Sequence, residues 1–312
     1  MLKRLKNLRF CIPMLMVVLS TLTLLTYIGY NEAKLKYLPF QLNKLAAQSK
    51  IVKTGFDGYL NAGLPIAQFS GFSSIASTIL KSDSSIENIR VVDLSGDVIF
   101  FKSNDGKEDA LDKFKQRSRN YHVNLLEFDF NAAESLESDS SYVIKQALTS
   151  KFGAVGTVII EANKEETIAE LNKQFKFPFH SIIGLTLLFF FVVIAYELLG
   201  AKKIDRSRFF KITYIFCYLG LSILITKTVY NVYEFGANAT TLAMTESMVQ
   251  RLTITKNVGI NLDDLSGFDQ MLAEYKSGNR NIEAIALVKG GINIAHTDFA
   301  QIDQQYKIAP DS

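Results

Sequence analysis

Five side chains have the type and placement to grip a small anion. Arg117, Arg119 and Tyr121 cluster just ahead of one apolar strand pattern, and Arg90 and Lys145 fall in the middle of two others. Guanidinium forks match carboxylates and phosphates with paired hydrogen bonds, and a lysine adds a point charge. A plainer reading stands beside this one. Residues 117–119 also suit the solvated end of a charged helix, and Asp109, Asp112 and Glu127 are near enough in sequence to neutralise the bases.

Catalytic chemistry has less to stand on. The chain contains no Gly-x-x-x-x-Gly-Lys-Ser/Thr loop, no Gly-x-Gly-x-x-Gly, no Gly-x-Ser-x-Gly and no His-Glu-x-x-His. Its histidines, His122, His180 and His296, are far apart. The two cysteines, Cys11 and Cys217, both lie in apolar runs, where they build neither a disulfide framework nor a zinc site. Asn238-Ala239-Thr240 fits a glycosylation acceptor, a pattern too short to carry weight alone. The expectation is no catalytic residue, no cofactor and no metal. An enzyme would need a catalytic part beyond residue 312.

The elements that would position the five residues follow from the hydropathy pattern. Of 312 residues, 48% are hydrophobic and 21% charged, ordinary averages that hide long charge-poor runs alternating with polar stretches. A net charge of +3 gives no reason to expect nucleic acid. Runs at 11–30, 181–200 and 209–229 are each near the roughly 20 residues that cross a bilayer core. Glu197, Lys211 and Lys227 sit near the ends, where long side chains reach the interface. The first run is too long for a signal-peptide core and lacks a small-x-small cleavage site after it.

Basic residues set the expected orientation. Lys3, Arg4, Lys6 and Arg9 precede the first run, and Lys202, Lys203, Arg206 and Arg208 surround the short link 201–208. Both are expected on the cytoplasmic side of a bacterial inner membrane, with 31–180 and 230–312 outside. Lys34, Lys36, Lys44 and Lys50 run against this, but three spans require residues 1–10 and the short link to share a side.

Residues 31–56 predict a helix continuing from the first span, with a proline at 39. Leu38, Leu42, Leu45, Ser49, Val52 and Phe56 draw one stripe along it. The stripe either packs on its own domain or also meets a second copy, giving a homodimer through stalk helices. A Gly/Pro break then leads to a short helix at 72–80. Segments 86–94 and 97–102 read as a hairpin around Leu94-Ser95-Gly96, and 107–119 as a charged helix. Segment 121–130 reads as a strand, 131–141 as an acidic, serine-rich loop, and 142–149 with 154–161 as a second hairpin. Asn163 and Glu166 form a capping-box pattern ahead of a helix whose Ile168, Leu171 and Phe175 face inward. The expected fold class is α+β: an antiparallel sheet of about five strands with helices on one face, plus three transmembrane helices.

The stretches AGLPIAQFSGFSSIASTIL, IENIRVVDLSGDVIFF and YVIKQALTSKFGAVGTVIIEAN carry a likeness. In this order, and with Asp93-Leu94-Ser95-Gly96 as an Asp-x-x-Gly turn, residues 31–178 resemble the Cache/PAS-like extracytoplasmic sensor domains of bacterial chemoreceptors and sensor kinases. The resemblance implies a pocket between the sheet and the helices facing it; Arg117, Arg119 and Tyr121, joined by Arg90 and Lys145 from the sheet, are the polar candidates for it. The amino-acid-binding members carry an Arg-x-Trp-Tyr signature. This chain has no tryptophan, so amino-acid recognition is not implied.

Part of the pattern recurs. Gly63–Phe72 reads GLPIAQFSGF and Gly259–Phe268 reads GINLDDLSGF, an offset of 196 that also matches Ile86-Glu87-Asn88-Ile89 to Ile282-Glu283-Ala284-Ile285. One deletion later, Gly96 matches Gly291. Residues 230–312 therefore read as a partial second copy, completed by a partner or by further sequence. The expected function is a membrane-anchored sensor that binds an unknown small molecule and signals through its spans to an output module elsewhere. The alternative is an assembly protein whose outer domains bind another protein.

Overall fold

The computed structural model describes residues 11–104, 124–125, 133–199, 205–257, 268–277 and 282–305. The chain forms two compact units. One holds residues up to Leu38 together with Ile168–Gly236, and the other holds Pro39–Thr167 and the residues from Ala237 onward.

The first unit is helical. Its elements are the start of α1 (Cys11–Asn61), α4 (Ala169–Leu199) and the start of α5 (Arg206–Asn257). Among the described residues, these three helices are long and apolar enough to cross a membrane. The chain is read as a membrane protein on that basis. Their inner sides interlock through Val18, Leu22, Ile182, Phe189, Leu221 and Ile225. Their outer sides are apolar too: Val17, Leu24, Ile183, Leu187, Phe191, Phe216 and Ile223 are all exposed. A helix apolar all round belongs in a core or a bilayer, and these faces have no core to cover them. The polar groups in the runs are satisfied locally. Thr26, Thr186, Thr213 and Thr228 each donate to the carbonyl four residues earlier, as backbone and side-chain donors must where water is absent. Gly29 lets α1 and α5 approach, since a Cβ there would strike Ile225. A second cluster joins Ala33, Tyr37, Leu171, Phe175 and Val232. Tyr30 meets Phe175 edge-on at 5.4 Å and donates its hydroxyl to Asn172 Oδ1 at 2.7 Å.

The second unit is built on a sheet. In chain order its elements are the rest of α1, α2 (Phe72–Ser82), β1 (Ile86–Asp93), β2 (Val98–Ser103), β3 (Asn124–Leu125), β4 (Glu134–Glu137), β5 (Ser141–Ser150), β6 (Gly153–Asn163) and the short α3 (Lys164–Thr167). The strands lie in the order β2-β1-β6-β5-β4-β3, antiparallel throughout. The α+β class and the antiparallel sheet are as expected. The sheet has six strands rather than five, the sixth being the two-residue β3.

Two sequence expectations need correction. The acidic stretch 131–141 is not all loop: Glu134–Glu137 pairs with β5, Leu136 opposite Val143. Its composition argues for a loop, but Ala133, Ser135 and Leu136 are buried, so the neighbouring strand overrides local propensity. The capping box is only half used. Asn163 Oδ1 accepts from the amides of Glu165 and Glu166, but the Asn163 amide donates to Ser85 O instead of to Glu166. The charged helix expected at 107–119 lies outside the described residues.

The stripe residues Leu42, Leu45, Ser49, Val52 and Phe56 are buried and Leu38 is half-buried, but burial on α1 is wider than the stripe and takes in Gln41, Asn43, Gln48 and Lys50. Ser49 donates to Gln146 Oε1 of β5 at 2.7 Å. Phe56 gathers Phe69, Phe72 and Phe100 at centroid distances of 4.2, 6.5 and 5.9 Å. Gly96 takes the left-handed conformation that the first hairpin turn requires, with φ 87°. Further along come α6 (Phe268–Ser277), β7 (Ala286–Lys289) and β8 (Ile292–His296), the two strands paired antiparallel.

Candidate ligand-binding face of the sheet

Alternation along the strands divides the sheet residues between two faces. Ile89, Val91, Ile144, Gln146, Val158 and Ile160 point to one, and all are buried. That is the side met by Ser49 of α1. The other face carries Asn88, Arg90, Val92, Val143, Lys145, Ile159 and Glu161. Leu136, Val143 and Ile159, with Val92 against them, form its apolar centre.

Two of the five expected site residues are brought together on this face. Arg90 of β1 and Lys145 of β5 both pair with Ile159 of β6. They stand in one row, two strand spacings or about 10 Å apart. Glu134 of β4 continues the row beyond Lys145. Arg117, Arg119 and Tyr121 lie outside the described residues, as do Asp109, Asp112 and His122.

Arg90 is not an open cation. Its Nη1 donates to Glu161 Oε2 at 3.2 Å and to Asn88 Oδ1 at 3.2 Å. Glu161 also accepts from Asn88 Nδ2 at 3.1 Å and from Ser141 Oγ at 2.9 Å. Both ionic side chains are only 4% exposed. Burying two charges is tolerated only with close pairing and further hydrogen bonds, and this quartet supplies both. Asn88, Ser141 and Glu161 were missed from sequence. The available signal was one carboxylate inside the apolar run VIIEAN, where an unpaired charge is too costly to stand alone.

A second polar group ties α1 to α6 and α5. Lys50 Nζ lies 2.6 Å from Glu274 Oε1 and 4.3 Å from the centre of the Tyr275 ring. Arg251 reaches Glu274 Oε2 at 3.3 Å, and the hydroxyls of Tyr275 and Ser247 are 2.7 Å apart. Burial lowers Lys50 below the ordinary lysine range, although the Glu274 bond opposes it. Burial alone would raise Glu274, but Lys50 and Arg251 together hold it below the usual carboxylate range. Half-buried Asp57 is pushed up by desolvation, although Lys53 and Arg251 oppose it.

A third pair sits where α2 meets β1. Lys44 lies 2.8 Å from Asp83 Oδ2, and the Ser85 hydroxyl and amide donate to Asp83 Oδ1 at 2.7 and 3.1 Å. Burial would raise this carboxyl, but Lys44 and Ser85 outweigh it and hold it low. Among the described residues no group of three His, Cys, Asp or Glu side chains is gathered to hold a metal.

Compared with known families and with curated proteins, the chain matches none.

Proposed function

We propose that the chain is a membrane-anchored sensor of the Cache/PAS-like kind. A small ligand binds the sheet unit and shifts its conformational balance, and the helices joined to that unit carry the shift across a bacterial inner membrane. In this reading the N-terminus is cytoplasmic, 31–180 and 230–312 are extracytoplasmic, and the output lies on a partner or in further sequence.

One observation carries the reading: both ends of the sheet unit run into apolar helices. The chain enters the sheet from α1, and β6 is followed within a few residues by α3 and then α4. A change in β6, a central strand and the last of the sheet in chain order, would therefore reach a helix directly. On this row Lys145, rather than the paired Arg90, is the base that would meet an anionic ligand. The placement of α6 and of the β7–β8 hairpin supports a second, sensor-like copy at 230–312. Phe268 opens α6 as Phe72 opens α2, which is the sequence offset of 196, and the hairpin turns at Gly290-Gly291 as the first turns at Gly96.

The test uses the full chain in lipid nanodiscs. A panel of small carboxylates and inorganic phosphate is scored by thermal shift, because a ligand that binds only the native state raises its melting point. Spin labels on α1 and α4 then report their separation with and without the hit. The reading expects a hit and a changed separation. No hit, or a hit with no change in separation, overturns it and leaves the assembly reading, which the prior engagement of Arg90 by Glu161 favours.

A further inference from the structure

The two copies read from the sequence meet each other in the fold. In the membrane unit, Gly29 of α1 faces Ile225 of α5, its own counterpart at the offset of 196. In the sheet unit, Thr240 of α5 donates to Phe40 O of α1 at 2.8 Å, within four residues of that offset. α1 is helical to Asn61 and α5 to Asn257, again 196 apart. Two spans that leave a membrane on one side share a level in any case. That does not decide which faces meet.

The side contacts decide it. α6 sits against both long helices: Glu274 reaches Lys50 of α1 at 2.6 Å, and the Tyr275 hydroxyl is 2.7 Å from that of Ser247 on α5. At the offset of 196, the counterparts of Lys50, Ser247, Glu274 and Tyr275 are Glu246, Ile51, Thr78 and Ile79. All four of these line one open groove of about 410 Å³, where α2 meets α1 and α5. So α2 addresses the two long helices as α6 does, with their roles exchanged. A twofold, isologous interface has this property: each contact is repeated with its partners swapped. The two sides differ only in how they are filled. Thr78 and Ile79 are smaller than Glu274 and Tyr275, and Gly55 stands where α5 has Arg251. One contact is closed by an ion pair and a buried ring, and its counterpart stays a groove.

We propose that the second copy is the built-in partner of the first: α5 and α6 occupy on α1 the place that a second subunit's long and short helices would take, which closes the stalk face of α1 to another chain. α1 has no exposed position from Phe40 to Phe56, as such a central helix requires. The inference rests on the repeat within the proposed function and not on ligand sensing.

The test uses the full chain in nanodiscs, with Cys11→Ser and Cys217→Ala to remove the native thiols. A Cβ at Gly29 would lie 3.7 Å from that of Ile225, inside the range that a disulfide spans. Gly29→Cys/Ile225→Cys should therefore oxidise within one chain and run as a monomer on a non-reducing gel. Gly29→Cys alone should give no covalent dimer. Disulfides between chains, no disulfide, or covalent dimers from Gly29→Cys alone overturn the proposal. A second pair of variants leaves the membrane unit untouched. Thr78→Glu with Glu246→Lys gives the open side the charges of the closed one. Added to Thr78→Glu, Glu246→Lys should slow hydrogen exchange in 72–82 about threefold, the effect of an exposed ion pair, and it should not do so in the parent. The same effect in both backgrounds overturns the equivalence of the two sides. The unmutated chain, released for native mass spectrometry, should carry the mass of one chain, and a particle found only with two chains overturns the proposal. None of these outcomes touches the anion panel or the spin-label separation, so an absent ligand and an absent internal pair are told apart.

Discussion

Replacing Arg90 by methionine separates a structural arginine from a ligand-binding one. Methionine keeps most of the apolar stem and removes the guanidinium. The hydrogen bonds to Glu161 and to Asn88 vanish. Glu161 is then left charged at 4% exposure, held among the described residues by Asn88 and Ser141. Breaking a buried pair from one side typically costs about 3–5 kcal/mol. The two remaining neutral donors place this case near the low end, about 3 kcal/mol, or a factor of about 100 in the opening equilibrium.

Hydrogen exchange of the full chain in nanodiscs measures this directly, through peptides covering β5 and β6. Their slowest amides report the opening of the sheet. Arg90→Met should speed them about 100-fold. The double variant Arg90→Met/Glu161→Leu removes both charges and should return to within about 1 kcal/mol of the parent, because a buried pair is often replaceable by apolar groups of similar size. If Arg90→Met exchanges like the parent, the pair is not a structural element and Arg90 is free to serve a ligand. If the double variant is as fast as the single one, the stranded charge is not the cause and the reasoning fails.

Three further outcomes follow from the geometry. Asp83 is held below its ordinary range, so its stabilisation is full at neutral pH. It is lost as the pH falls below about 4 and through the folded-state value. The melting point of the parent should drop over that window, and Asp83→Asn should flatten that part of the profile. In Gly156→Ala the new Cβ would meet the carbonyl oxygen of Val92, a backbone atom that cannot swing away. A loss of about 1–3 kcal/mol, read from the same β6 peptides, is expected. Lys50→Met strands a Glu274 that keeps Arg251 and 35% exposure, so only about 1 kcal/mol should be lost. The loss should appear as faster exchange in 268–277 while β5 and β6 stay as they were.

What the sequence could show depended on how each feature repeats. The apolar runs and the spacing from Leu42 to Phe56 are legible in the sequence, but the burial of off-stripe Gln41, Asn43, Gln48 and Lys50 is not. The Leu94-Ser95-Gly96 turn was readable because a positive φ demands a glycine there. Strand β4 was not, since Glu134-Ser135-Leu136-Glu137 has the composition of a loop and gains its order only from β5 beside it. The polar pairs were harder still. Arg90 and Glu161 are 71 residues apart, and Lys50 and Glu274 are 224 apart. Charge type along a chain says that a partner is needed, not which one.

The same limit shaped the candidate site. Arg90 and Lys145 are each the single base in an apolar strand, and antiparallel register places them in one row across Ile159. Whether a base in such a row faces a ligand or an internal carboxylate depends on the strand between them. Here β6 presents Glu161 one pleat away from Ile159, on the same face, and Arg90 turns to it. Among the described residues no carboxylate is ion-paired with Lys145 in that way, which makes it, rather than Arg90, the base on this row to test first for an anion. Lys145→Gln should weaken any hit from the carboxylate and phosphate panel while leaving β5 and β6 exchange at the parent rate. Unchanged affinity in that variant would remove the sheet row from the ligand's path.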